Sequence, residues 1–231
     1  MMNDKKRLMD IINLIDYGKN VIDVGTDHGL VPLYLAKNNI SSNILATDIS
    51  APSLKKLEDQ LDDDLSKIIK TKVTDGFKGI EKEDNQIAII AGMGGNTIVD
   101  IIDASIEFAQ NLDYMILESN IATEKLRLFL YNNNFEIMRD FLSFENGKYY
   151  DILKVKYGNK KEMKISDIYY GFENIENKSQ LLVKKLLIDC KKNQIFRENI
   201  IKNSKNNDGL EKINERLEAI DEVYERWKLE N

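Results

Sequence analysis

The stretch Val-Ile-Asp-Val-Gly-Thr-Asp-His-Gly-Leu-Val-Pro at residues 21–32 decides the fold class. Its first four residues predict a short buried strand that ends at Gly25, and residues 29–38 predict the helix that follows. Pro32 falls in the first turn of that helix, where proline is tolerated. A glycine turn between a strand and a helix is typical of sheets that bind a ligand at the carboxyl ends of their strands.

Apolar runs and helical patterns alternate through the rest of the first two-thirds of the chain. Further strands are predicted over residues 43–47, 68–74, 86–91 and 114–117, and helices from residue 51 and over residues 96–109 and 122–132. Ser50 is the predicted N-cap of the second helix, with Pro52 in its opening turn. Strands that alternate with helices predict a parallel, doubly wound sheet.

The pattern changes after residue 134. Residues 135–144 and 149–157 predict two strands, and Asn146-Gly147 between them is a hairpin turn signal. This hairpin would add an antiparallel edge to the sheet. The predicted fold class is therefore α/β, with the mostly parallel sheet of the Rossmann-like class I methyltransferases, although a fold by itself does not name a function.

The last third of the chain shows no strand pattern. Residues 158–177 predict a polar linker, and two helices follow it on either side of a break at residues 203–209. The first helix would use the apolar residues Leu182, Leu186, Ile195 and Ile201. The second has a heptad pattern, Leu210, Ile213, Leu217, Ile220, Tyr224 and Trp227, which predicts an antiparallel helical hairpin or coiled coil. We therefore predict two domains, residues 1–157 and 158–231.

Charge is divided unevenly between these two helices. The chain has a net charge of −6, yet residues 178–205 hold eight Lys or Arg against two Asp or Glu, and residues 208–230 hold four against eight. The first segment therefore carries +6 and the second −4. The basic residues could contact nucleic-acid phosphates, or form a solvated face that pairs with the acidic helix. They are Lys178, Lys184, Lys185, Lys191, Lys192, Arg197, Lys202 and Lys205.

Composition argues against several classes of protein. No stretch approaches the roughly 20 apolar residues of a membrane span, and residues 1–7 lack the apolar run of a signal peptide. The single cysteine, Cys190, excludes an internal disulfide framework, and with the single histidine, His28, it argues against a zinc or iron–sulfur site. We expect a cytoplasmic protein without a metal or a membrane partner. We also expect a monomer, with a dimer through the heptad pattern left open.

Acidic residues flank the first glycine turn. The dinucleotide-binding pattern would be Gly-x-Gly-x-x-Gly, whereas this turn has glycines at 25 and 29 and carboxylates at Asp23 and Asp27. The carboxylates would repel a pyrophosphate, which disfavours NAD, but they suit a cationic cofactor such as S-adenosylmethionine. The alternative is a tight turn with a solvated Asp27. His28 could orient the substrate or the cofactor carboxylate, or simply begin the helix.

Two more acidic residues follow the next strands. Asp48 lies about 20 residues beyond the glycine turn, the position that accepts hydrogen bonds from ribose hydroxyls, although it could instead cap the next helix. Asp75, in Thr74-Asp75-Gly76-Phe77, would lie beside an adenine pocket and could accept from an amino group. A plain Asp-Gly turn is the alternative there.

A glycine-rich loop, Ala91-Gly92-Met93-Gly94-Gly95-Asn96, follows the fourth predicted strand. Three glycines in four positions indicate unusual backbone dihedrals or close approach of a ligand. In a doubly wound sheet this loop lies near the first turn, at the switch point. Residues 118–120, predicted to follow the fifth strand, and Tyr149-Tyr150 should point to the same rim, although an aromatic residue in a strand is as often packing.

Five motifs occur in order along the chain: Asp-Val-Gly-Thr-Asp-His-Gly-Leu-Val-Pro (23–32), Ala-Thr-Asp-Ile-Ser (46–50), Thr-Asp-Gly-Phe (74–77), Ile-Ala-Gly-Met-Gly-Gly (90–95) and Gly-Lys-Tyr-Tyr-Asp-Ile (147–152). With the helical hairpin that follows, the chain resembles the bacterial tRNA (adenine-22-N1)-methyltransferase family, TrmK. The first and fourth motifs together are distinctive. Two positions depart from the family pattern: Glu118-Ser119-Asn120 stands where Gln-Pro-Asn is expected, and Phe172 follows Gly171 where proline is expected.

The resemblance implies a class I methyltransferase that uses S-adenosylmethionine to methylate N1 of adenine 22 in tRNA. The cofactor-binding residues would be Asp23, Gly25, Thr26, Asp27, His28, Asp48, Ile49, Asp75, Gly76, Gly92, Met93 and Gly94. The tRNA contacts would be made by Gly95, Asn120, Lys184, Lys185, Lys191 and Lys192.

The chemistry of adenine narrows the catalytic roles. Adenine N1 has an in-plane lone pair and no proton at neutral pH, so the enzyme needs no general base and must above all place N1 in line with the methyl group. Because the product is cationic, a nearby carboxylate should stabilise the transition state; Asp27 is the first candidate and Glu118 the second. N1 lies on the Watson–Crick edge, so the base must be unpaired or flipped out, with Tyr150 and Met93 as stacking walls.

Two other functions stay open on the sequence. A methyltransferase acting on a small molecule or a protein would have the same cofactor motifs, and only the basic helix argues against it. A non-catalytic tRNA-binding module would use the helical hairpin without the acidic turn. Binding of S-adenosylmethionine would separate that module from both enzymes.

Overall fold

The chain folds into two compact units, and the first is built on a seven-stranded sheet. The structure, a computed structural model, describes residues 6–26, 28–203 and 209–229. The first unit comprises residues 1–139 and 143–161, and the second comprises residues 140–142 and 162–231. The predicted division into independent domains at residues 157 and 158 stays a prediction.

The strands of the sheet follow the alternation expected from the sequence. They are β1 Asn20–Val24, β2 Ile44–Asp48, β3 Ile69–Val73, β4 Gln86–Met93, β5 Tyr114–Ser119, β6 Phe135–Glu145 and β7 Lys148–Tyr157. Their order across the sheet is β3-β2-β1-β4-β5-β7-β6. The first five strands pair in parallel, and β7 pairs with β5 antiparallel, which confirms the predicted fold class.

Helices connect the strands and form the second unit. Those of the first unit are α1 Lys6–Ile12, α2 Leu30–Lys37, α3 Ala51–Glu58, α4 Leu65–Ile68, α5 Gly95–Asp103, α6 Ile106–Gln110 and α7 Thr123–Asn132. Those of the second are α8 Ile165–Tyr170, α9 Phe172–Glu176, α10 Gln180–Asn203 and α11 Leu210–Leu229. None of the described helices is long and apolar enough to cross a membrane.

The centre of the sheet brings two strand ends together. β1 lies between β2 and β4, so Val24 is level with Thr47 on one side and Ile90 on the other. The apolar run of β4 is buried on both faces, as parallel strands covered by helices require. The turns after β1, β2 and β4 therefore open at the same edge of the sheet.

The hairpin between β6 and β7 forms as its turn residues predict. Asn146 and Gly147 have φ angles of 50° and 77°, the positive values that a two-residue type I′ turn needs at both positions. The antiparallel pairing of β7 with β5, in which Leu117 is level with Leu153, follows from this reversal.

Several elements of the first unit differ from the predictions, beyond the unpredicted helix α1 and the extension of β4 to Met93. β5 continues to Ser119, so Glu118 and Ser119 are buried residues of the strand and do not follow it. The single helix predicted over residues 96–109 is two helices, α5 and α6, separated at Ala104 and Ser105. A short helix, α4, precedes β3. It was not predicted, because four residues are too few to show a helical pattern of apolar side chains.

The linker predicted at residues 158–177 is wrong. This segment contains α8 and α9, whose buried residues include Tyr170 and Ile175. Ile165, Ile168, Tyr169 and Phe172 lie three or four residues apart, a helical spacing that the polar and glycine residues of the segment obscured.

The two long helices, α10 and α11, pack against each other as predicted, although not through every predicted residue. Leu182 and Leu186 of α10 are fully buried, whereas Ile195 and Ile201 are exposed, so their predicted role in the contact is wrong. In α11 the buried residues are Ile213, Ala219, Ile220 and Val223. Most of the predicted break between the helices, residues 204–208, lies outside the described residues.

A buried ion pair within the first unit gives a stability prediction. Arg127 of α7 is fully buried and donates from Nη2 to Asp151 Oδ1 of β7 at 2.6 Å. Arg127→Met should lower the free energy of unfolding by about 3–5 kcal/mol, because it leaves a buried carboxylate without its cation. Lys156→Met, which removes the exposed pair with Glu136 at 3.3 Å, should cost about 1 kcal/mol or less. Urea denaturation of both variants measures these free energies of unfolding, and equal losses of free energy in the two variants would contradict the prediction.

Candidate functional site

A cavity of about 640 Å³ opens at the carboxyl ends of the central strands. This volume lies within the range of about 300–1,000 Å³ that small-molecule sites occupy. Its walls come from the carboxyl ends of β1, β2 and β4, from the turns after β1, β2 and β3, and from one face of α5. The lining residues are Val24, Gly25, Asp48, Ile49, Thr74, Asp75, Gly76, Ala91, Gly92, Met93, Thr97, Asp100, Ile101 and Ala104. Every one belongs to the first unit.

The floor of this cavity depends on a glycine at position 25. Gly25 has a φ of 80°, and a Cβ atom built there would collide with the side-chain methyl of Met93. Its N–H donates to the Thr47 carbonyl at 2.8 Å, which ties the first turn to β2. A larger residue would be strained in its backbone and would displace Met93 from the wall.

The charged residues that line the cavity are all acidic. Asp48, Asp75 and Asp100 contribute carboxylates, and no Lys or Arg is among the lining residues. Asp48 Oδ1 also accepts from the Ser50 N–H at 2.8 Å, a bond to the residue before α3 and not to its first turn, and the ligand role of Asp48 stays a prediction. Ser50 is the N-cap of α3 as predicted, but its side chain makes no capping bond. Asp75 pairs with Lys78 at 2.6 Å at the exposed rim.

An apolar side chain lies open at the same rim. Ile49 is 74% exposed although it follows a buried strand. An exposed aliphatic side chain beside carboxylates offers a surface for a flat apolar group, while the carboxylates can accept from hydroxyl and amino groups. The lining therefore suits a cationic nucleoside-like ligand and opposes a pyrophosphate.

Asp23 is buried beneath the first turn. Its carboxylate accepts from the Thr26 hydroxyl, and no salt bridge joins it to any described residue. Burial raises the pKa of Asp23 from 3.8 to about 6; the Thr26 bond opposes this rise and the neighbouring Asp48 charge adds to it. Asp23 and Thr26 therefore support the turn from below and do not line the cavity. No group of His, Cys, Asp or Glu among the described residues could hold a metal ion.

The glycine-rich loop is the continuation of β4, which runs to Met93 with a shift of register after Ile90. Gly92 has a φ of 79°, and its N–H donates to Glu118 Oε2 at 2.8 Å. Glu118 is only 1% exposed, and Arg7 of α1 forms an ion pair with the same oxygen. Glu118 therefore lies one hydrogen bond behind the cavity wall. Arg7 was not expected at the site, because nothing in the spacing of α1 marks it.

The other predicted site residues occupy different surroundings. Gly94 caps α5 outside the cavity lining, and Gly95 is buried, its N–H donating to the Ile121 carbonyl at 2.8 Å. His28 and Asn120 are exposed. The Tyr150 ring lies 5.0 Å from the Arg7 guanidinium carbon. Asp27, the first catalytic candidate, lies outside the described residues.

Sequence reasoning missed the contribution of α5. Thr97, Asp100, Ile101 and Ala104 follow one another at helical spacing, so they share one face of the helix that faces the cavity. The signal was present as a mixed polar and apolar face beside the glycine-rich loop. A helix face that lines a ligand site need not be apolar, and so it escapes a search for buried periodicity.

The predicted phosphate-binding lysines lie on α10 in the second unit. Lys184, Lys191 and Lys192 are exposed. Lys185 is half-buried and pairs with Asp189 at 2.6 Å, so part of its charge is already balanced within the helix.

The raised pKa of Asp23 predicts how stability depends on pH. A protonated Asp23 stabilises the folded state fully below about pH 4, and that contribution is lost as the pH rises through about 6, amounting to about 3 kcal/mol. Asp23→Asn lacks this loss, so its free energy of unfolding relative to the natural chain should rise between pH 4 and pH 7.5. Urea denaturation across this range, with the exposed Asp63→Asn as control, checks it. Parallel curves for Asp23→Asn and the natural chain would contradict it.

Comparison with known proteins agrees with this geometry. Residues 4–153 match the family described as "Methyltransferase domain". The chain is 29% identical over 156 residues to the tRNA (adenine(22)-N(1))-methyltransferase of Bacillus subtilis, an alignment that spans 67% of this chain and 66% of that relative.

Solved structures extend the likeness to both units of the chain. The B. subtilis M1A22 tRNA methyltransferase TrmK superposes with a TM-score of 0.86 at 25% identity, covering 94% of this chain and 97% of that one. A protein in the NADB-Rossmann superfamily from Streptococcus agalactiae has a TM-score of 0.83 at 25% identity, covering 94% and 96%. The chain therefore belongs to the methyltransferase domain family, and within it to the tRNA (adenine-22-N1)-methyltransferase family, TrmK.

Proposed function

We propose that the protein transfers the methyl group of S-adenosylmethionine to N1 of adenine 22 in tRNA. The observation that carries this proposal is the acidic cavity at the ends of β1, β2 and β4 in a chain of the TrmK family. Its lining has the charge that a cationic methyl donor requires. The tRNA substrate and the position of the adenine come from the relatives that the chain resembles.

The residues around the cavity fit S-adenosylmethionine. Asp48 would accept from the ribose hydroxyls, Asp75 from the adenine amino group, and Ile49 would lie against the purine. Gly25 and Gly92 allow the ligand to approach the backbone closely. When bound, the cofactor supplies a methyl group activated by its sulfonium charge.

The protein's own task is to position the base and to stabilise charge. A flipped-out adenine presents N1 without any proton to remove, so in-line placement supplies most of the rate enhancement. Asp27 is the proposed carboxylate for the developing cation. Glu118 is the second candidate, but Arg7 already balances its charge, which leaves it less to offer a cationic base. Tyr150 and Met93 would form the walls against which the base stacks.

The second unit would bind the tRNA backbone. We propose that Lys184, Lys191 and Lys192 contact phosphates, because they are exposed on one long helix, with a smaller part for Lys185. Gly95 and Asn120 stay proposed contacts of the first unit. A tRNA substrate and a single cysteine, Cys190, make the cytoplasm the proposed compartment.

Methyl transfer to tRNA tests the proposed function directly. The protein with labelled S-adenosylmethionine and tRNA lacking modifications should yield 1-methyladenosine, detected by nucleoside mass spectrometry. Asp27→Ala should lower the single-turnover rate by about 10²–10³-fold, because one charge-stabilising group is lost. The control is Asp59→Ala on the exposed end of α3. Cofactor binding without any methylated nucleoside would contradict tRNA as substrate, and an unchanged rate for Asp27→Ala would contradict that residue's role.

Salt dependence tests the proposed phosphate contacts. Each contact contributes about 0.9 to the slope of log binding constant against log salt concentration. Replacing Lys184, Lys191 and Lys192 together by Met should therefore flatten that slope by up to about three units. The control replaces three exposed lysines of the first unit, Lys37, Lys55 and Lys67. Equal slopes for the natural chain and the α10 variant would favour a merely solvated helix face.

A further inference from the structure

One carboxylate oxygen joins helix α1 to the cavity wall. Glu118 Oε2 accepts from the Gly92 N–H at 2.8 Å and forms the ion pair with Arg7. Glu118 is 1% exposed and the Arg7 side chain 21% exposed. The charge pair is therefore nearly dry, and its position fixes the amide of a residue that lines the cavity.

Arg7 is itself held from several sides. Its backbone N–H donates to Glu145 Oε2 of β6 at 3.1 Å, and its guanidinium lies over the Tyr150 ring of β7 at 5.0 Å. Leu8 and Ile11 anchor α1 in the core. The guanidinium has little freedom to leave Glu118, so the link from α1 to Gly92 is rigid.

The ion pair is not optimised for stability alone. Glu118 Oε1 and Arg7 Nε are buried, and neither has a hydrogen-bond partner among the described residues. A buried polar group left without a partner calls for an explanation other than packing. The one neighbour that this carboxylate positions within the cavity wall is Gly92.

Charge around Glu118 determines how well it accepts from Gly92. Burial raises the pKa of Glu118, the Arg7 charge and the Gly92 hydrogen bond oppose that rise, and Asp151 adds to it. Asp151 is paired with Arg127 at 2.6 Å, and Glu145 faces the backbone of Arg7. Because an ionised acceptor makes a hydrogen bond about twice as strong as a neutral one, Arg7 keeps the Gly92 amide firmly bound.

We propose that Arg7 is a positioning residue for the methyltransferase reaction, acting through Glu118 to hold the Gly92 amide and thereby the cofactor-lining wall. The consequence for the reaction rests on the proposed function. The link between Arg7, Glu118 and Gly92 does not, and it can be measured without cofactor or tRNA.

The Gly92 amide reports this link in the free protein. Its proton shift in ¹H–¹⁵N NMR spectra should follow the ionisation of Glu118 as the pH is varied. Arg7→Met should move the midpoint of this titration to higher pH. Arg7→Lys should bring the midpoint back towards that of the natural chain, and Glu118→Gln should abolish the titration. Lys6→Met is the matched control, because it removes the exposed pair with Asp10 on the same helix. An unmoved midpoint in Arg7→Met would overturn the proposal.

Binding of S-adenosylhomocysteine, measured by calorimetry, tests the consequence for the cofactor site. Arg7→Met should bind it several-fold more weakly than the natural chain at pH 6, because a neutral Glu118 makes a weaker hydrogen bond with the Gly92 amide. The loss should be smaller at pH 9, because a higher pH favours the ionised form of Glu118. A loss that is equal at both pH values would indicate a merely structural role and overturn the proposal.

A double-mutant cycle covers the case in which Arg7→Met does not fold. If Arg7 acts through Glu118, adding Arg7→Met to Glu118→Gln should leave the affinity within about threefold of Glu118→Gln alone. The double variant has no uncompensated carboxylate and should fold. A further tenfold loss would overturn the proposal. Failure of the tRNA assay with an intact Gly92 titration would instead contradict the proposed function.

Discussion

The positive φ of Gly25, 80°, next to the side chain of Met93, is the constraint on which the first turn of the site depends. β1 and β4 are neighbouring parallel strands, so the turn after β1 and the end of β4 lie side by side at the same edge of the sheet. A side chain at residue 25 would fill the space between them and collide with Met93. With glycine there, the two turns meet and the cavity opens between the turn after β2 and helix α5. The parallel sheet brings these strand ends together, and the absence of a Cβ atom at Gly25 leaves room for Met93 between them.

The central architecture was predictable because it depends on local signals. Apolar runs that end in glycine or aspartate marked β1, β2 and β4, and Asn146-Gly147 marked the hairpin. Seven of the predicted cofactor residues line the cavity: Gly25, Asp48, Ile49, Asp75, Gly76, Gly92 and Met93. They could be found because the topology requires ligand contacts at strand ends. Residue roles in catalysis stay predictions.

Other features of the fold, such as the end of β5 and the buried face of α10, depend on packing between residues that are distant in the sequence. β5 runs two residues further than predicted because Glu118 and Ser119 continue the pairing with β7, and the buried Glu118 has its cation on α1, more than a hundred residues earlier in the chain. The segment predicted to be a linker forms α8 and α9, with Tyr170 and Ile175 buried within the second unit. Ile195 and Ile201 are apolar, but they lie off the face of α10 that Leu182 and Leu186 share, and they are exposed. Periodicity shows which face could be buried, and the partner that covers it decides how far burial extends.

Two buried carboxylates behind the cavity, Glu118 and Asp23, have opposite electrostatic surroundings. Glu118 has a cation beside it, so its charge is balanced before any ligand arrives. Asp23 has a hydroxyl partner and a like charge nearby, and its pKa of about 6 leaves its ionisation open to change. A cationic ligand in the cavity would lower that pKa and gain binding energy from the ionised form, at a cost in stability to the empty protein. The charge of Glu118 is thus balanced by Arg7, whereas the ionisation of Asp23 would respond to a positive charge in the cavity.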